Sequence, residues 1–224
     1  ACGLPAMHPF NTPALRGGLL ALLAAALFGV STPLVQRLGA GMGAFGTAAL
    51  LYAGAAAAGV LSLRSTAQEA RLRRADIPRL LAMAGLGAAL GPVALAWGLQ
   101  HTSGASASLM LTLEALFTAL IAWRLYGETM DHRVSLAMLL LLAGGMALVW
   151  DQGQQGSVPL LGLLAVVLAT VAWGLDNALS RALAERDPSQ VVMAKATLGA
   201  TATALWAIAF GEPMPSPASA LGLL

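Results

Sequence analysis

Charge is what this sequence has least of. Only 10% of its 224 residues are charged, against about 25% in a soluble domain. That is too little polar surface to cover a globule in water. Cys2 is the single cysteine, which excludes an intrachain disulfide and a cysteine-based metal site. The three histidines, His8, His101 and His132, lie far apart without metal-ligand spacing, so neither a metal nor a cofactor is expected. Lysine occurs once, at Lys195, beside eleven arginines. Short segments of strictly alternating apolar and polar residues are also missing, which excludes a transmembrane barrel.

What is there is apolar sequence in long runs. Hydrophobic residues make up 58% of the chain and the mean hydropathy is +0.77. Runs of about 20 such residues match the roughly 30 Å hydrocarbon core of a bilayer. The fold class is therefore an all-α membrane protein, a polytopic transmembrane helix bundle. Residues 1–14, with Pro5, Pro9, Pro13 and His8, read as an irregular tail. Arg16 and the apolar stretch 19–30 resemble a signal peptide, but the run continues to Leu38 and more spans follow. About seven spans are expected, near 17–37, 44–63, 78–99, 103–123, 134–150, 159–180 and 189–210. Residues 216–224 turn apolar again and begin an eighth. Pro78 opens the third span, where proline is tolerated. Pro33 and Pro92 lie within spans and kink them. Gly85, Gly87 and Gly91, with Gly144 and Gly145, let helices approach closely in lipid. The string from Gly85 to Gly91 echoes a dinucleotide loop, but it follows no strand, so helix packing is the better reading.

A pI near 9.2 does not point to nucleic acid here, because the basic residues sit in short loops. Arg64, Arg71, Arg73, Arg74 and Arg79 surround the loop after the second span; Arg124 and Arg133 flank the next alternate loop, and Arg181 and Arg186 the one after. Arg16 precedes the first span, and only Arg37 falls on the other side. This asymmetry predicts a cytoplasmic N-terminus.

Laid without gaps, Gly17 onward matches Gly162 onward. Leu19 meets Leu164, Leu23 meets Leu168, Gly29 meets Gly174 and Leu34 meets Leu179. The offset of about 145 residues holds five spans, and an odd number inverts the second copy in the membrane, as in many secondary transporters. We expect a first five-helix repeat over 1–150 and an incomplete second repeat over 151–224. A complete copy needs about 65 more residues at the usual span length, which reads as C-terminal truncation. A homodimer completing the missing part is the alternative.

Two stretches resemble a known family. One is Ala96-Trp97-Gly98-Leu99-Gln100-His101-Thr102-Ser103-Gly104-Ala105, running on to Leu113-Glu114-Ala115-Leu116-Phe117-Thr118 and Gly127-Glu128. The other is Trp173-Gly174-Leu175-Asp176-Asn177-Ala178-Leu179-Ser180-Arg181, with Asp187-Pro188 and Lys195. Both are similar to EamA-type members of the drug/metabolite transporter superfamily. The resemblance implies ten helices in two inverted repeats around a central cavity. It also implies transport, often export, of metabolites, amino acids or drugs, and the wealth of alanine, glycine and arginine points to a GC-rich bacterial genome and hence an inner membrane. Ala115 stands where the family commonly has proline after the glutamate.

Ionisable groups at membrane depth are functional suspects. Glu114 sits near the middle of its span, either as a proton-coupling or substrate-binding group or as a carboxyl bonding a neighbouring helix. Asp176 and Lys195 lie on adjacent antiparallel spans, roughly 7–9 Å from the span centres at 1.5 Å per residue, so they can pair. That pair is either structural or part of a cavity, with snorkelling of Lys195 a third reading. Asn177 points elsewhere, toward a neighbouring helix. Trp97 and Trp173 line a cavity or pack in the core, whereas Trp123 and Trp150 read as interface anchors. Glu69, Asp76, Glu128, Asp131, Glu185 and Asp187 read as solvated loop charges beside basic residues. The span arithmetic places Glu114 and Asp176 at different depths, and no histidine is mid-span, which argues against a membrane-embedded enzyme. The partners expected are the lipid bilayer and a small-molecule substrate. The functions weighed are a secondary transporter, proton-coupled through Glu114, and a truncated or degenerate non-transporting scaffold.

Overall fold

A computed structural model describes residues 13–62, 70–213 and 215–223. The tail with Cys2, Pro5, His8 and Pro9, and Arg64 and Glu69 in the loop after the second span, lie outside the described residues. Among those described, every regular element is a helix. These are α1 (Pro13–Leu38), α2 (Ala44–Ser62), α3 (Ile77–Met83), α4 (Gly91–His101), α5 (Gly104–Leu111), α6 (Leu113–Tyr126), α7 (His132–Gln155), α8 (Ser157–Ser180), α9 (Pro188–Ala209) and α10 (Pro217–Leu223). Short 3₁₀ turns at Arg74–Asp76 and Arg181–Leu183 precede α3 and follow α8.

The seven expected spans are present as rods. Six of them are long and apolar enough to cross a membrane, and the seventh, Ala44–Val60, is shorter. Each rod repeats the apolar run that predicted it. The third is composite, Arg74–His101, because Pro92 has no N–H and its ring crowds the carbonyl four residues earlier. The chain responds with a π-helical segment, Ala84–Leu90, and the Gly91 N–H bonds to Leu86 O, five residues back. The expected disruption is therefore a widened turn, one of the recognised ways a helix absorbs such a defect.

α8 runs through the middle, against α4, α5, α6, α7 and the π segment, while α2 lies along α9. The core joins Leu95, Leu99, Met110, Leu163, Val166 and Ala169. Close approach is bought by missing side chains. A Cβ on Gly98 would meet Gly162 O at 2.7 Å, and one on Gly174 would meet Phe117 Cβ at 2.9 Å. In lipid such fits supply the attraction that apolar burial cannot. The outer faces carry leucine: Leu19, Leu20 and Leu22 on α1 and Leu139 and Leu140 on α7 are all more than half exposed. A patch of this size suits hydrocarbon, not water.

The two ends of the bundle are tied differently. At the arginine-rich end, Arg186 Nε bonds Asp76 Oδ2 at 2.8 Å, the Asp187 N–H bonds Ala70 O at 3.0 Å, and Arg181 pairs with Glu128. Arg181 also lies over the Tyr126 ring, 4.7 Å from its centroid. Asp76 and Asp187 are buried, unlike the solvated loop charges expected. Each accepts backbone N–H groups at a helix start, Asp76 from Arg73 at 2.9 Å and Asp187 from Ser189 at 2.9 Å, so desolvation is compensated. At the opposite end the ties use amide side chains and one carboxylate. Gln36 Nε2 donates to Leu99 O at 2.9 Å, Gln100 Nε2 to Met42 O at 3.0 Å, and Glu212 accepts the Gly46 N–H at 2.7 Å.

Gly199 of α9 faces the π segment. A Cβ there would lie 2.5 Å from Ala88 O and 2.9 Å from its carbonyl carbon. Gly199→Ala is expected to lower stability by about 1–3 kcal/mol, measured by thermal unfolding in detergent; an unchanged midpoint would show that this contact is loose.

Candidate functional site

Polar groups gather along α8, toward α6 on one side and toward the π segment and α9 on the other. α5 ends at Leu111, and the Thr112 hydroxyl donates to Leu109 O at 2.6 Å. α6 restarts at Leu113, so Glu114 falls in its first turn. Thr118 is one turn further along the same face. Across from them Asn177 of α8 donates Nδ2 to Glu114 Oε1 at 2.9 Å and to Thr118 Oγ1 at 3.2 Å. Asn177 thus reaches a neighbouring helix, as its place beside Asp176 implied. Its bond to Glu114 also brings Glu114 and Asp176 closer in depth than span arithmetic gave.

These groups border a cavity of about 690 Å³. Phe28 and Thr32 of α1, Ala115 and Ala119 of α6, and Glu128 add to its wall. Glu128, expected to be a bland loop charge, therefore sits at the cavity's edge while pairing with Arg181. A mostly apolar concavity with a few convergent polar groups is the usual form of a small-molecule site.

Asp176 points the other way. It is 5% exposed and Oδ2 pairs with Lys195 Nζ of α9. The adjacent spans therefore do pair through these residues. α8 and α9 have little direct contact, since the π segment lies against both. The ion pair crosses that segment at Gly87, where a Cβ would overlap the Asp176 carboxylate. Gly87 O accepts the Tyr52 hydroxyl of α2 at 2.6 Å and Trp173 Nε1 at 3.0 Å. Asp176 Oδ1 is buried with no hydrogen-bond partner.

Trp173 also meets Phe28 edge-on, centroids 6.1 Å apart, and so touches the cavity wall from behind. Trp97 lies elsewhere. It is 38% exposed on α4 and stacks on His101 at 4.1 Å, outside the residues that border the cavity. Tyr52 was not singled out from the sequence, Thr118 was seen only as part of the family-like stretch, and Gly87 only as a packing glycine, a role its contact with Asp176 bears out. Gly87 was readable in principle, lying five residues before Pro92, where a π turn would place a freed carbonyl.

The arrangement defines a polytopic helical membrane protein with a carboxylate–amide–hydroxyl site on the wall of an open cavity between α1, α6 and α8. Residues 15–150 match the EamA-like transporter family, more than half of the chain, and the chain belongs to that family. A curated relative from Methanothermobacter thermautotrophicus, described as "Uncharacterized transporter", is 30% identical over 140 residues, 61% of this chain and 41% of that protein. The match spans less than half the length of that relative. No solved structure matches the chain.

Removing one partner of a buried ion pair costs about 3–5 kcal/mol, because it strands the other. Asp176→Asn is therefore expected to lower the unfolding temperature and expression markedly. Asp176→Asn with Lys195→Met should recover most of the loss. A double variant no better than the single would count against pairing as the reason both residues are tolerated.

Proposed function

We propose that this chain is the substrate-binding part of a secondary transporter that exports small metabolites, amino acids or drugs across the cytoplasmic membrane, with the N-terminus in the cytoplasm. The observation that carries the reading is the Glu114–Asn177–Thr118 cluster on the wall of the cavity. Glu114 Oε2 and Asn177 Oδ1 have no protein partner among the described residues, and they offer a substrate hydrogen-bond acceptors in apolar surroundings. Family membership and the transporter description of the relative support the same class.

The inverted-repeat reading belongs to this proposal. α1 and α8 would be equivalent helices, as would α2 and α9, and the long contact of α2 with α9 suits a pseudo-two-fold axis between them. The cavity then lies between the repeats, where transporters of this architecture place their sites. The arginine-rich end faces the cytoplasm on the positive-inside rule, and a proton gradient drives export. Among the described residues, the cavity's polar groups are two carboxylates, an amide and hydroxyls, without histidine or cysteine. That set suits binding better than nucleophilic chemistry.

Transport is tested in proteoliposomes under an imposed pH gradient, with a panel of radiolabelled amino acids and cationic dyes. Glu114→Gln should cut proton-driven flux at least tenfold, and Ala119→Trp, which fills the cavity, should abolish it. Full flux in both would remove the cavity from the transport path. No flux of any panel compound in the parent would favour a non-transporting scaffold.

A further inference from the structure

The ion pair and the cavity are separate places joined by one helix. Asn177 of α8 faces the cavity, and Asp176, one residue earlier, faces the π segment. The notable atom is Asp176 Oδ1, wholly buried and without a hydrogen-bond partner. A carboxylate oxygen in that condition is an unmet acceptor, and unmet buried acceptors are rare in folded proteins. The surroundings limit what can meet it. Gly87 O already holds the Tyr52 hydroxyl and the Trp173 indole N–H, and Asp176 Oδ2 holds Lys195. A metal cation needs several oxygens at once and would find one. A proton needs one.

We propose that Asp176 is the coupling-proton site of this protein, distinct from the substrate site at Glu114, and that Lys195 is its exchangeable counter-charge. The proposal rests on the transporter reading only for the word coupling. In one state Asp176 is ionised and Lys195 binds it across Gly87, tying α8 to α9 over the π segment. In the other a proton from water sits on the Asp176 carboxyl, which becomes neutral, and the Lys195 ammonium leaves. No other bond forms or breaks. Lys195 has somewhere to go, since its side chain is 20% exposed and a lysine stem can carry its head to an interface. The tie between α8 and α9 then opens at the widened turn, where the rod is already least regular.

The titratable groups facing Asp176 are few. Lys195 comes from α9 and Tyr52 from α2, and Glu114 of α6 lies on the far side of Asn177. The π segment Ala84–Leu90 contributes none, and Arg181, further along α8, is engaged with Glu128. A pH response from this place therefore has three candidate owners besides Asp176, each removable by one substitution.

Trp173 is a built-in reporter, because its indole N–H shares Gly87 O with the ion-pair crossing. With Trp97, Trp123, Trp150 and Trp206 changed to Phe, the full chain in liposomes has one tryptophan, and its emission is titrated against pH at constant ionic strength. The expected result is a single transition of one-proton steepness. It should vanish in Asp176→Asn and in Asp176→Asn with Lys195→Met, the second covering poor folding of the first. It should persist in Tyr52→Phe and Glu114→Gln. Replacing sodium by choline should move its midpoint by less than a factor of two in proton concentration. A parent without a transition, a transition that survives loss of Asp176, or a tenfold midpoint shift on removing sodium would each overturn the proposal. The readout needs no transported substrate. Its failure therefore leaves the cavity reading standing, and a failed flux assay leaves the proton site standing.

Discussion

A charge held among close-packed apolar helices must have its counter-charge within reach, and here the route between the two runs over residue 87. Asp176 and Lys195 come from helices that barely touch, with the π segment against both. Any side chain at position 87 would occupy the place of the carboxylate. Gly87 is therefore the condition for the ion pair, which offsets both charges while Asp176 is ionised. Pro92 stands behind this arrangement. By denying the helix a regular bond it widens the turn, and the turn leaves Gly87 O able to accept Tyr52 and Trp173. Three helices, α2, α8 and α9, are thus tied to one backbone irregularity.

α8 distributes those ties. Successive residues on a helix point about 100° apart, so Asp176 serves the π segment while Asn177 serves the cavity, and Trp173, between them in angle, touches both. Gly162 and Gly174 bring α4 and α6 against the same helix by removing the side chains that would hold them off. A rotation of α8 would therefore move the cavity wall and the ion-pair crossing together.

The rods were legible because each needs only an unbroken apolar run, and a run of that kind is written directly in the chain. The pairing of Asp176 with Lys195 was legible for a related reason, since depth along two antiparallel spans can be counted. The same count did not show that Glu114 lies within reach of Asn177, beside Asp176, because the packing of α6 on α8 is a tertiary fact. Glu128, Asp76 and Asp187 looked like loop charges, since their sequence neighbours are polar. Their burial or position depends on which loops meet at the bundle end, a tertiary fact. Thr118 and Tyr52 carried no signal beyond being polar atoms in apolar runs. The likeness of Gly17 onward to Gly162 onward is a pattern of apolar residues, and it bears on architecture through the proposal of paired repeats.

The unlike fastenings at the two ends make the molecule lopsided toward its solvents. The pair of Arg181 with Glu128 is about half exposed, and exposed charges are screened within roughly 8 Å at physiological salt. The glutamine-to-carbonyl ties of Gln36 and Gln100 carry no net charge and do not feel ionic strength in that way. Salt at the arginine-rich end would weaken the exposed Arg181–Glu128 pair while sparing the buried Arg186–Asp76 pair, and at the other end it would leave the amide ties unaffected beside the single carboxylate tie of Glu212.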